Sequence, residues 1–178
     1  QSFNLHELLD TVLSFERSSH PGLRFTAYYD ASLPDIEADR DKLHQVFLNL
    51  VRNASEACPA DGRVRVLTRH CAHWELAGTN LDPTLRYVLI SIEDEGPGIP
   101  KELRKNIFKP LFSTKKQGTG LGLSISFRLV ESHGGQLRYQ PSERSGDCFQ
   151  VILQESQSEP LEENSPNFVY QDLRKEIS

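Results

Sequence analysis

The sequence predicts an α+β fold, on three observations. Residues 40–57 place Leu43, Val46, Phe47, Leu50, Val51, Ala54 and Ala57 at the spacing of one helical face. Residues 86–94 are nearly all β-formers, through Tyr87-Val88-Leu89-Ile90-Ser91-Ile92. After the helix stop Gly134-Gly135, two short extended stretches, 136–140 and 148–153, flank a polar turn at 142–146.

The other elements follow in order. Residues 4–17 read as a helix: Asn4 is an N-cap with Glu7 three positions on, and Leu5, Leu8, Leu9, Val12 and Leu13 form one stripe. Pro21-Gly22 breaks it, and 23–30 reads as an aromatic-rich strand. Residues 36–38 are a short extended piece, and Asp39 caps the helix at 40–57. Residues 63–69 alternate as a strand, and 70–84 read as an extended hairpin loop. A short helix is expected at 101–106, and a longer one from Thr119 or Gly120 to about His133. From Gln154 the composition shifts to Glu, Ser, Pro and Asn, as in a disordered linker.

The totals bound the function. A chain of 178 residues can bury one real core. A formal charge of -5 and a pI near 5.7 argue against a nucleic-acid surface. No run of about 18 apolar residues and no signal peptide occur, so no membrane contact is expected. Three scattered cysteines, Cys58, Cys71 and Cys148, fit reduced thiols in a cytoplasmic protein. The chain starts at Gln1 and has no methionine, so a piece of a longer protein is expected.

Four stretches carry the chemistry. Asp94-Glu95-Gly96-Pro97-Gly98-Ile99 follows the strongest strand and puts a carboxylate at the mouth of a sheet. A half-buried carboxylate can accept from the amino group of adenine, and a site built for that donor rejects bases lacking it. Gly96 and Gly98 let backbone approach a flat base. Gly118-Thr119-Gly120-Leu121-Gly122-Leu123 opens a helix, where free N–H groups and the dipole favour an anion, with the Thr119 hydroxyl as a further donor. Asn49 and Asn53 lie one turn apart on the flank of the stripe, and Asn53 offers a hard carbonyl oxygen to Mg²⁺. Between the two loops runs Ile107-Phe108-Lys109-Pro110-Leu111-Phe112-Ser113-Thr114-Lys115, from which a flexible lysine could reach a terminal phosphate. Each motif alone also reads blandly, as a turn, a glycine-rich cap, a surface amide or a solvated charge. His70, Cys71 and His73 have no second ligand pair at zinc spacing, so no metal cluster is expected there. His6, His20, His44 and His133 read as surface histidines.

In order and spacing these stretches resemble the catalytic, ATP-binding domain of bacterial sensor histidine kinases, within the superfamily of gyrase, Hsp90, histidine kinases and MutL. Residues 45–57 resemble the N box, 94–99 the G1 box, 107–115 the F box and 118–123 the G2 box. The form Asn53-Ala54-Ser55-Glu56-Ala57 and the run Phe112-Ser113-Thr114-Lys115 look closest to the nitrogen-regulation branch. The resemblance implies a two-layer α/β sandwich, the Bergerat ATP-binding fold, with a mixed sheet covered on one face by helices and a flexible lid at 100–118. It implies a connector helix at 1–20, a catalytic domain at 21–154 and an acidic tail at 155–178. It implies ATP and Mg²⁺ as cofactors. Asp94, Gly96, Gly98 and Ile99 would hold adenine; Thr114, Lys115, Gly118, Thr119, Gly120, Leu121 and Gly122 would hold phosphates; Asn53 would ligate Mg²⁺, with Asn49 beside it. Two positions depart from the pattern: Glu56 stands where many relatives carry lysine, and Asp147-Cys148 stands where small hydroxyl residues are usual.

The resemblance also implies a mechanism. Hydrolysing relatives carry a glutamate one turn before the metal asparagine; Asn49 is an amide and cannot act as a base. The expected role is phosphoryl transfer to a histidine on an upstream dimeric hairpin, then to a response regulator. A gyrase-type ATPase clamp, a serine kinase acting on a sigma-factor system and a non-catalytic nucleotide sensor are the competing readings.

Overall fold

In a computed structural model of the chain, which describes residues 1–114, 120–144 and 146–156, three apolar stripes define three helices. Helix α1, Leu5–Ser19, is capped by the Asn4 side chain, which accepts from the N–H groups of His6 and Glu7. Its stripe Leu5, Leu8, Leu9, Val12 and Leu13 is buried as expected. Glu16, at the next stripe position, is also fully buried; it faces His20 Nδ1 at 3.1 Å and Arg52 Nε at 3.4 Å. Helix α2, Arg40–Ala57, starts at Asp39, whose carboxylate accepts from Lys42 N–H. Helix α3, Gly122–Ser132, ends in the Gly134-Gly135 stop, whose N–H groups return to the carbonyls of Glu131 and Val130.

The strands are β1 (Ser2–Phe3), β2 (Arg24–Tyr29), β3 (Ile36–Glu37), β4 (Arg63–His70), β5 (Tyr87–Asp94), β6 (Gln136–Pro141) and β7 (Asp147–Gln154). The main sheet has the order β2-β4-β5-β7-β6. β2 and β4 are parallel and all other pairs are antiparallel, so the sheet is mixed. The parallel pair requires a crossover, and α2 is that crossover. β1 and β3 form a separate antiparallel pair, which local reading did not reveal.

Alternation sorts the side chains by layer. Val88, Ile90 and Ile92 of β5, Val64 and Val66 of β4, and Phe149, Val151 and Leu153 of β7 face the helices in one core. That core includes the α1 and α2 stripes, so α1 is a layer of the same body as α2. The opposite face is covered only in part. The loop after β4 holds a 3-10 turn, His73–Leu76, and buries Leu76 against Tyr87, Leu89 and Ile152. The result is a two-layer sandwich with helices on one face of a mixed sheet.

Two local expectations change. The short helix at 101–106 is a turn followed by a 3-10 segment, Arg104–Asn106, too short for α-helical closure after Pro100. Helix α3 begins at Gly122 rather than at Thr119 or Gly120, because Gly120 takes a left-handed φ of 69°. The acidic tail expected from 155 lies outside the described residues beyond Ser156. Glu155 itself is buried and pairs with His70 Nδ1 at 2.6 Å.

Candidate nucleotide site

Strand β5 is buried along its length and ends at Asp94, which is 3% exposed. Two backbone donors serve this carboxylate, Gly96 N–H at 2.8 Å and Asp147 N–H at 3.2 Å, and both go to Oδ1. Among the described residues no cation pairs with Asp94, and both of these donors leave Oδ2 uncontacted. Burial pushes its pKa up to about 6; the two N–H donors offset part of the rise, and the neighbouring Asp147 carboxylate adds to it.

The loop after Asp94 abuts α2. A side chain at Gly96 would stand 2.7 Å from the Ala57 carbonyl, so glycine is what allows the approach. Gly98 turns the loop with φ of 79°. Ile99 N–H donates to the Tyr139 hydroxyl at 3.3 Å, and Ile99 O accepts from Arg104 Nε at 3.0 Å.

The second glycine loop meets α2 two turns away. A side chain at Gly122 would collide with the Asn49 amide oxygen. Asn49 Nδ2 donates to Ser126 Oγ at 3.0 Å, tying α2 to the second turn of α3. Asn53 is half-buried one turn further along α2. Asn49, Asn53 and Ala57 are spaced i, i+4, i+8 on one face, so about 12 Å of helix runs from the second loop past Asn53 to the first.

Helix α3 has no side-chain cap; Leu121 occupies the cap position and is 38% exposed. Its first-turn N–H groups are the kind of donors that bind an anion. Gly120 O accepts from Leu111 N–H at 2.9 Å. Thr114 is exposed. Lys115, Gly118 and Thr119 lie outside the described residues, so the second loop is represented by Gly120, Leu121 and Gly122. Among the described residues there is no cluster of three or more His, Cys, Asp or Glu placed to hold a metal. The grooves on the outer face of the sheet, around Tyr28, Arg65, Glu93 and Gln150, contain none of the predicted site residues.

Three residues of this arrangement were not expected as site residues: Ser126, Tyr139 and Arg104. Ser126 is 77 residues from Asn49 and Tyr139 is 40 from Ile99, whereas Arg104 is five residues from Ile99. The only signal available was the departure at Asp147 from the usual small hydroxyl.

Fold and site define a nucleotide-binding α/β sandwich. Comparison with known proteins agrees. The family described as histidine kinase-, DNA gyrase B- and HSP90-like ATPase matches residues 38–157. The sensory histidine kinase/phosphatase NtrB of Azospirillum brasilense is 38% identical over 153 residues, which is 84% of this chain and 38% of that protein. Among solved structures, the catalytic domain of histidine kinase ThkA is 32% identical with a TM-score of 0.74, covering 88% of this chain and 95% of that one. Full-length ShkA in complex with AMPPNP is 26% identical, with a TM-score of 0.70 over 90% of this chain and 32% of that one. This chain therefore belongs to the histidine kinase-, gyrase B- and HSP90-like ATPase family, and its relatives there are sensor histidine kinases. It spans well under half the length of the curated NtrB proteins it matches.

Proposed function

We propose that this chain is the ATP-binding catalytic domain of a two-component sensor histidine kinase of the NtrB branch. It holds Mg-ATP for transfer of the γ-phosphoryl to a histidine on an upstream dimerisation hairpin, and onward to a response regulator. A solved complex of ThkA with the response regulator TrrA, 30% identical to this chain, supports the last step. The NtrB similarity supports the branch.

The observation that carries the reading is the Asn49–Asn53 flank bracketed by the two glycine loops. Asp94 Oδ2 accepts from the adenine amino group. Gly96, Gly98 and Ile99 form the backbone around the base. The uncapped first turn of α3, with Gly120, Leu121 and Gly122, receives phosphate oxygens, joined by Thr114, Lys115, Gly118 and Thr119. Asn53 gives its carbonyl oxygen to Mg²⁺, whose preference for few protein ligands and several waters suits a single amide. Asn49, locked onto Ser126, orients the phosphate side and cannot take a proton from water. ATP supplies the phosphoryl group; the chain positions it and shields its charge. No helix among the described residues is long and apolar enough to cross a membrane, and we place the domain in the cytoplasm, where ATP is available. Residues 1–20 would lead from the hairpin, 21–154 would bind nucleotide, and 155–178 would be an appendage.

The test is a calorimetric titration of the chain with a non-hydrolysable ATP analogue, with and without Mg²⁺, and with GTP. Binding of the ATP analogue alone, strengthened by Mg²⁺, is expected. Transfer is then read by mixing the chain and ATP with a separate phosphoacceptor hairpin, where an acid-labile phosphohistidine is expected. Steady ATP hydrolysis by the chain alone, or an acid-stable phosphoserine on a partner, would sink the kinase assignment.

A further inference from the structure

Beside the adenine-reading carboxylate lies a second buried acid. Asp147, the first residue of β7, is 7% exposed, against 3% for Asp94. β5 and β7 are antiparallel neighbours, with Glu93 opposite Cys148, so the end of one strand meets the start of the other. Gly146 lets them meet: it has φ of 88°, and a side chain there would collide with the Asp94 backbone carbonyl and stand 2.8 Å from Asp94 Oδ1.

Asp147 acts on the site in two ways. Its N–H donates to Asp94 Oδ1. Its carboxylate Oδ1 accepts from the Tyr139 hydroxyl at 2.7 Å, and that hydroxyl accepts in turn from Ile99 N–H. Tyr139 is fixed by its ring, tilted against Phe149 at 5.4 Å and lying under the Arg104 guanidinium at 5.5 Å. Burial first, and then the bond to Asp147, push the Tyr139 phenol up to about 12, so it remains a donor. One chain of hydrogen bonds therefore runs from the tip of the first glycine loop, through β6, to β7 and back to Asp94.

We propose that Asp147, held by Tyr139, is a positioning residue of the adenine pocket that fixes the first glycine loop and, through its own charge, adds to the loss of nucleotide binding on acidification that burial of Asp94 sets up. The proposal rests on the ATP reading above. Adenine offers a donor, so Asp94 must be an acceptor; a proton on Asp94 replaces an acceptor by a donor facing a donor. A like charge beside Asp94 favours that proton. The other titratable groups near the pair are Cys58 at the end of α2, Glu95 after Asp94, Cys148, and Arg104 over Tyr139; Glu93 points to the outer face, where it pairs with Arg65 at 2.8 Å. Of the groups near the pair Arg104 is the cation, and its guanidinium stacks over the Tyr139 ring. A hydroxyl residue at position 147 would keep the backbone donor and drop the charge.

The experiment is calorimetric titration of the whole chain with the non-hydrolysable ATP analogue and Mg²⁺ from pH 5 to 8. Parent, Asp147→Asn and Asp147→Ser are compared, each normalised to its own affinity at pH 8. The parent is expected to lose affinity below about pH 6, approaching tenfold per unit for one linked proton. Both variants should shift that midpoint down but not back to the ordinary carboxylate range, because burial is the larger cause of the rise. A purely structural Asp147 would leave the midpoint where it is, and that result overturns the inference while the ATP reading stands. Failure of the parent to bind at any pH overturns both. Tyr139→Phe supplies an independent readout: exchange of the Ile99 amide should speed up about tenfold, and unchanged exchange would remove Tyr139 from the chain of bonds.

Discussion

Two of the buried acids, Glu75 and Asp94, lie at opposite faces of one sheet, and they are served differently. On the outer face, Glu75 receives Arg69 Nη1 at 2.6 Å, Arg69 Nη2 at 2.5 Å and Ala72 N–H at 2.8 Å. Burial alone would raise its pKa, but the Arg69 and Ala72 hydrogen bonds outweigh burial and hold it below the usual carboxylate range. On the helix side, Asp94 receives two neutral N–H groups on one oxygen and no cation among the described residues. Burial wins there, and the carboxyl rises to about 6. The acid that staples a loop is satisfied by its own chain. The acid proposed to read the base has both backbone donors on one oxygen, and the fold carries the cost of its charge.

Four changes break or sharpen this contrast. On the proposed reading Asp94→Ala removes the acceptor for the adenine amino group, and adenine-nucleotide affinity should fall by about a hundredfold, the scale of an unpaired donor in a built site. Its circular dichroism should be unchanged; parental affinity by calorimetry would remove Asp94 from the site.

Asp94→Asn should instead stabilise the ligand-free chain. A pKa raised from 3.8 to about 6 means that folding disfavours the charged form. The stabilising contribution of the protonated group is complete below pH 3.8 and is lost as pH rises through about 6. At pH 8 the parent thus carries a penalty of about 3 kcal/mol, which the amide avoids in part. Urea unfolding at pH 8 and pH 4 should show a gain at the first and little at the second. Equal effects at both would contradict a charge penalty.

Glu75→Gln runs the other way, because it breaks a satisfied pair and orphans Arg69. Arg69 is about half exposed, so the loss should be about 1–2 kcal/mol, below that of a fully buried pair. The parental Glu75 contributes stability above its ordinary pKa and loses it as pH falls through the lowered folded value. A stabilised glutamine variant would show that desolvation, not pairing, governs this acid. Smallest is Asn53→Ala: nucleotide should still bind, with the Mg²⁺-dependent gain reduced by about tenfold. If Mg²⁺ helped the variant as much as the parent, the metal role would belong elsewhere.

Much of the site was legible in the order of residues. The α2 stripe placed Asn49 and Asn53 on its flank, and they are half-buried there. The β-former run led into Asp94, which ends β5. Asn4 and Asp39 cap as their positions required. The Ser126 partner of Asn49 was not legible, because it lies 77 residues away on a helix that local pattern cannot dock. Nor was Ile99 resting on Tyr139, since 40 residues and the sheet order β5-β7-β6 lie between them.

What the sequence by itself determined is whatever depends on near neighbours along the chain: helical faces, caps, strand ends and the glycines that permit tight turns. Those properties come from side-chain period and backbone sterics within a few residues. Only the tertiary structure decided that Asp94 gives one oxygen to Gly96 and Asp147, and that Asp147 lies close enough to raise its pKa. Desolvation and charge proximity depend on which strands become neighbours. That choice is made by burial of the whole core, not by any segment alone.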